Sequence, residues 1–137
     1  MKKSMYIDET FLQAALDSLK KDLMSSLPVA MPGIIETYDA DSGLASVQPA
    51  LRRRTSDSAT AGEILTAPLL EEVPVFLPAA DFSVSAGMPC LLIFMDFCLD
   101  GWLQAGQPVL PPSPRQHDWS DAVALVGYAP AFPQSQQ

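Results

Sequence analysis

A chain of 137 residues that is 48% hydrophobic and 18% charged can bury a core without staples and is too apolar to be disordered, which bounds it to a single globular domain. Eight basic against sixteen acidic residues leave a formal net charge of −8, which counts against a general nucleic-acid binder, because such a protein needs a positive field to displace phosphate counterions. Thirteen prolines favour short strands and rigid loops over a helical bundle.

The first segment, IDETFLQAALDSLKKDLMSSLP, predicts a helix, with Asp8 or Thr10 as its cap and Pro28 as its stop. Leu12, Leu16, Leu19 and Leu23 alternate spacings of four and three and so form one apolar stripe. Lys20 and Lys21 are placed toward the C-terminal end, where the helix dipole favours cations. Two readings of the stripe stand side by side: a helix packed on its own domain, or one that meets copies of itself. Two heptads are too few for an independent coiled coil.

SSLPVAMPG reads as a linker, and from Gly33 the period changes. GIIETYDADSGLASVQPAL predicts two strands around the turn DADSG. RRRTSDSATAGEILTAP is polar and small, and is expected to be a long loop. It opens with Arg52, Arg53 and Arg54, the only basic cluster, which a solvated strand end explains better than phosphate binding. LEEVPVFLP gives a third strand. PAADFSVSAGMPCLLIFM gives a turn at Ala86 and Gly87, then a fourth strand apolar enough to be buried on both faces. Trp102 and Leu103, in a helical turn, are expected to cover one end of the sheet. The proline-bearing loop QPVLPPSPRQHDWS leads to a fifth strand in AVALVGYAP. The predicted fold is mainly β, a five-stranded OB-type Greek-key barrel preceded by an amphipathic α-helix. Its expected divisions are a helix and linker over 1–28, a barrel over 29–130 and a polar tail over 131–137.

Cys90 and Cys98 are the only cysteines and His117 the only histidine. No zinc-ligand spacing results, so reduced buried thiols and no metal or cofactor are expected. Asp8 and Glu9 interrupt any signal-peptide core, and the run CLLIFM is too short to span a bilayer. The chain is thus expected to be made in a cytoplasm without an export signal.

RQHDWSDAVALVG concentrates Arg115, His117, Asp118, Trp119, Ser120 and Asp121, the raw material of a hydrolytic site. In an extended segment, however, His117, Trp119 and Asp121 face one way and Asp118 and Ser120 the other. No nucleophile elbow or oxyanion loop accompanies Ser120. Local bonding by Asp118, Ser120 or Asp121 to nearby backbone explains the composition better, with His117 against a loop or a neighbouring subunit. The acidic pairs Glu71–Glu72 and Asp39–Asp41 lack the aromatic cleft of a glycosidase. Phe76, Phe94 and Phe97 lie in apolar runs and no lysine follows Lys21, so single-strand binding is weakly supported.

Four landmarks in order carry a family resemblance: the Pro-Gly of MPGIIETYDADSGLASVQPAL, the Val-Pro-Val of LLEEVPVFLP, the Asp-Gly-Trp of GMPCLLIFMDFCLDGWLQAG, and R-x-H-D-W-S-D-A within PPSPRQHDWSDAVALVGYAP. From about Met31 to Pro130 the chain resembles the N-terminal domain of the central, membrane-piercing spike proteins of Mu-like contractile-tailed phages. The resemblance implies an OB-fold domain that trimerises, docks under the tail hub and passes contraction force to a spike, with no enzymatic activity. Family spikes continue into a β-helical needle, often with an iron-binding His-x-His tip. This sequence has one histidine and ends after the barrel, so the expectation is either a platform carrying a separate tip or needle protein or a chain that lacks a part of the natural protein. The family's Gly-Asp before the fourth strand is here Gly87–Met88.

The function expected is therefore a homotrimeric virion protein of the tail baseplate, at the spike or the hub–spike junction. It makes only transient contact with the host envelope and takes no nucleic acid. Leu12, Leu16, Leu19, Leu23, Arg52, Arg53, Arg54, His117 and Trp119 are its candidate subunit or hub contacts. The alternative is an OB-type binding module for single-stranded nucleic acid or glycan, and the third a small hydrolase using His117, Asp118 and Ser120.

Overall fold

In the computed structural model, which describes residues 8–54 and 62–129, the chain begins with helix α1 (Glu9–Ser26) and continues into β1 (Ala30–Asp39). Asp8 caps the helix by accepting a hydrogen bond from the Thr10 amide at 2.9 Å, and Leu27 ends it in extended backbone, one residue before Pro28. The last turn holds no basic residue. Lys20 and Lys21 lie above it, where the dipole is already weak. The linker is short: the strand starts at Ala30, so Met31 and Pro32 belong to the sheet and not to a connector.

Among the described residues seven strands follow the helix: β1, β2 (Leu44–Pro49), β3 (Arg52–Arg54), β4 (Ile64–Thr66), β5 (Leu70–Phe76), β6 (Pro89–Phe94) and β7 (Ala122–Leu125). Five of them close a barrel in the order β1-β2-β5-β7-β6 and back to β1. Every junction is antiparallel except β5 with β7, which run parallel. A parallel pair needs a crossover, and here the crossover consists of β6, the short helix α2 (Asp100–Ala105) and the proline loop.

The barrel interior is made by alternation. Ala45, Val47 and Pro49 are the buried residues of β2 and Cys90, Leu92 and Phe94 those of β6; all of them but Pro49 meet Ile35 and Val73 in one core. β6 is therefore buried on one face only, contrary to the expectation from its composition, and Leu91 stands outside at 42% exposure. β7 is the strand enclosed on both faces, with Ala122, Val123 and Ala124 all buried. An apolar run shows that a strand meets apolar surface, but facing is set by position in the closed sheet.

Closure requires tight packing and bending at defined points. A Cβ on Gly33 would stand 2.7 Å from Val47 Cγ1 and 3.0 Å from Leu92 Cδ1, so glycine lets β1 approach its two neighbours. The β1–β2 register shifts between Ile35 and Thr37, and the β2–β5 register between Ala45 and Val47. Glu71 and Glu72 thus oppose Ser46 alone, and Glu72 takes φ of 55°, as a bulge with a left-handed residue requires. These bulges bend both strand pairs at one level of the barrel.

β3 and β4 form a separate two-stranded sheet where a loop was expected, with Arg52 opposite Thr66, Arg53 opposite Leu65 and Arg54 opposite Ile64. Its middle, residues 55–61, lies outside the described residues, as does the tail from 130. The foot of the excursion is tied to the barrel by Gln48 Nε2, which donates to the Ala67 carbonyl at 2.8 Å.

Candidate functional site

The polar stretch before β7 folds into a clamp. After the proline loop, Arg115 turns inward and donates through Nε to Asp121 Oδ2 and through Nη2 to Asp121 Oδ1, both at 2.9 Å. The same Nη2 reaches Cys98 Sγ at 3.0 Å and Asp100 Oδ2 at 3.3 Å. Asp121 is 2% exposed and also accepts from the Leu99 amide at 3.4 Å. A buried carboxylate is tolerable only when paired and hydrogen-bonded, and the planar arginine fork satisfies both its oxygens. The bond to Asp121, with a smaller contribution from Asp100, raises the Arg115 guanidinium still further above its ordinary range.

Cys98, Asp100 and Asp121 bring three potential metal ligands within 4.8 Å of one another. Sequence spacing gave no hint of this set, which only the fold assembles. Its cation is already internal, because the Arg115 guanidinium contacts all three side chains. Cys90 and Cys98 are both free and buried, and burial pushes the Cys90 thiol up to about 11, which keeps it protonated and unreactive near neutrality.

His117 lies apart from this clamp. Its backbone takes φ of 46°, its amide donates to the Met95 carbonyl at 3.0 Å, and Nε2 is 3.3 Å from Asp96 Oδ1. Nδ1 is buried and unpartnered among the described residues. Asp118 Oδ1 accepts from the Ser120 hydroxyl at 2.6 Å and the Ser120 amide at 2.9 Å, capping a single 3-10 turn over Trp119–Asp121. Those two bonds, the hydroxyl first, lower the Asp118 carboxyl below its ordinary range. Ser120 is thus committed to Asp118 and His117 to Asp96, so the base–nucleophile contact of a triad is not formed. The alternation expected for an extended segment fails here because the left-handed His117 and the capped turn redirect each side chain.

The interface candidates divide into two groups. Every residue of α1 is exposed; Leu12, Leu16, Leu19 and Leu23 stand at 46%, 52%, 65% and 57% exposure. Packing of this helix on its own barrel, one of the two sequence readings, is not what the structure shows. At the helix foot, Arg52 and Arg53 of β3, Leu65 of β4, Val29 and Trp119 line one groove of about 710 Å³. Trp119 also packs edge-on against Phe94, with ring centroids 4.9 Å apart. Arg54 is the next residue of the same strand. His117 does not line this groove. Trp102 of α2 stacks obliquely on Phe76 at 6.2 Å, while Phe97, expected within an apolar run, is 54% exposed.

A closed five-stranded barrel in this order, with one parallel junction and a preceding helix, places the protein in the OB-like class. Within that class, the family model of the phage protein Gp138 N-terminal domain matches residues 31–127. The chain belongs to that family of phage proteins. No curated protein matches it significantly, and no helix among the described residues is long and apolar enough to cross a membrane.

Proposed function

We propose that the chain is a structural component of a contractile-tail baseplate, a homotrimer at the spike or hub–spike junction that transmits force during envelope penetration. Membership of a phage protein family supports the setting. The observation that carries the assembly role is an 18-residue helix with no buried residue and a stripe of exposed leucines, a surface that monomeric proteins rarely leave in water. The tail hub above and a separate tip or needle protein below are the partners this position requires. The polar residues before β7 serve the fold: Arg115, Asp118, Ser120 and Asp121 are all engaged with one another or with backbone. In purified particles, gold label directed at this chain is expected at the distal end of the tail. Label elsewhere on the particle, or none, contradicts the proposal.

Arg52, Arg53 and Trp119 around one groove favour the second reading, an OB-type module for single strands or glycans, since arginine and an aromatic face together suit such ligands. The net charge of −8 opposes it for nucleic acid. Salt-sensitive binding of single-stranded DNA that is lost in Arg53→Ala would move the balance to that reading.

A further inference from the structure

We propose that the groove at the foot of α1 docks a short apolar segment of another protein, one that carries two carboxylates held by Arg52 and Arg53; for its setting the inference rests on the baseplate reading above.

Local folding builds the groove. The end of α1 and the start of β1 supply one part of its lining, the β3–β4 sheet another, and Trp119 completes it. Arg53 and its cross-strand neighbour Leu65 share one face of that sheet, so a guanidinium and an apolar side chain are offered together. Val29, Leu51, Leu65 and Trp119 are all exposed. A volume of about 710 Å³ lies within the range of about 300–1,000 Å³ typical of ligand clefts. A sheet of two short strands is marginal by itself in water, and every residue of β4 is exposed. A segment that covers the groove therefore also stabilises the sheet that lines it.

Charge identifies the occupant. Among the described residues none that lines the groove is acidic, and neither arginine has an ion-pair partner. From residue 62 to residue 129 the only lysine or arginine is Arg115, which Asp121 holds. The groove is thus a positive, apolar site on a chain whose net charge is −8. The negative end of the helix dipole is blunted there, because the Ser25 and Ser26 hydroxyls donate to the Asp22 and Leu23 carbonyls. Carboxylates match the planar guanidinium forks, and apolar side chains match Val29, Leu51 and Leu65.

A nucleic-acid strand fits less well. Trp119 is the one aromatic ring among the described lining residues, and it is engaged edge-on with Phe94, so no row of rings receives successive bases. A strand also adds a charge at every nucleotide, which sets most of its phosphates beside the acidic remainder of the chain. Two carboxylates seated at the arginines are shielded from that remainder beyond about 8 Å at physiological salt.

The test uses the full chain and arrays of short apolar peptides, random in order, that carry two glutamates, two lysines or two glutamines. Retention of the glutamate class alone is the expected result. Arg52→Gln with Arg53→Gln is expected to weaken it about tenfold, the effect of losing two exposed ion pairs. Arg52→Glu with Arg53→Glu is expected to transfer the preference to the lysine class, a reversal that damage to the fold would not produce. Leu65→Ser is expected to weaken the glutamate peptides and leave the class preference unchanged. Leu110→Ser, exposed and outside the groove, is expected to change neither. Equal retention of the three classes, or retention of none, would overturn the proposal. So would displacement of the glutamate peptides by oligothymidylate at a lower concentration than by free peptide, in favour of the nucleic-acid reading. Self-association that the arginine replacements abolish, with no peptide retained, would assign the groove to a second copy and overturn it as well. Each of these failures leaves the baseplate setting standing, since the position of the gold label tests that separately.

Discussion

Asp121 holds Arg115 with both oxygens and the Leu99 amide as well, joining the segment just before α2 to the entry of β7. Replacing it by alanine leaves the arginine without its partner and the Leu99 amide without an acceptor. Asp121→Ala is expected to cost about 2–4 kcal/mol, read as a lower thermal or denaturant midpoint; a loss under about 0.5 kcal/mol, typical of surface changes, would show that the clamp is incidental. Asp118 makes a different prediction because its carboxyl is lowered by the Ser120 hydroxyl and amide. A lowered folded-state value contributes stability that is present above the unfolded value and lost as pH falls through the folded one. The stability difference between wild type and Asp118→Ala is therefore expected to shrink as pH falls from about 5 to about 2, in urea melts at each pH. Local bonding by Asp118 was legible in the sequence, since Asp-x-Ser before a strand is turn chemistry. The Arg115–Asp121 pair was not: both residues stood in view, but their bond depends on how the crossover loop folds back on Cys98 and Leu99.

At the scale of elements, the strands announced themselves through alternation and turn residues, and all five barrel strands overlap the stretches the pattern gave, with β1 beginning at Ala30, ahead of Gly33. What alternation could not supply was facing. β6 is richer in large apolar residues than β7, yet β7 is the strand enclosed on both faces. The β3–β4 pair escaped notice for a related reason: three arginines carry no apolar period, and the pairing with Ile64–Thr66 is decided across a polar excursion. Gly33, read as the point where the linker gives way to the first strand, is a packing residue. Gly33→Ala forces a methyl into Val47 and Leu92 and is expected to destabilise the barrel by about 1–3 kcal/mol in denaturant unfolding. An unchanged midpoint would mean that β1 and its neighbours shift apart at no cost.

For the whole molecule, the barrel class and a phage setting were both within reach of the sequence, because the four landmarks follow in order along the fold, three on strands or strand entries and Asp-Gly-Trp at the start of α2. The assembly was only half legible. A leucine stripe says that a helix meets apolar surface and does not say whose; the exposure of all of α1 removes the chain's own barrel from the choice. The remaining exposed apolar surface includes Trp119 with Val29 and Leu65 at the helix foot, together with Phe97 and Leu110. Sedimentation equilibrium of the full chain over a wide concentration range tests the trimeric assembly most directly. A mass of three times the 14.8 kDa chain, holding on dilution until a single dissociation step, is the expected result, and a chain that remains at 14.8 kDa at the highest concentration would contradict it.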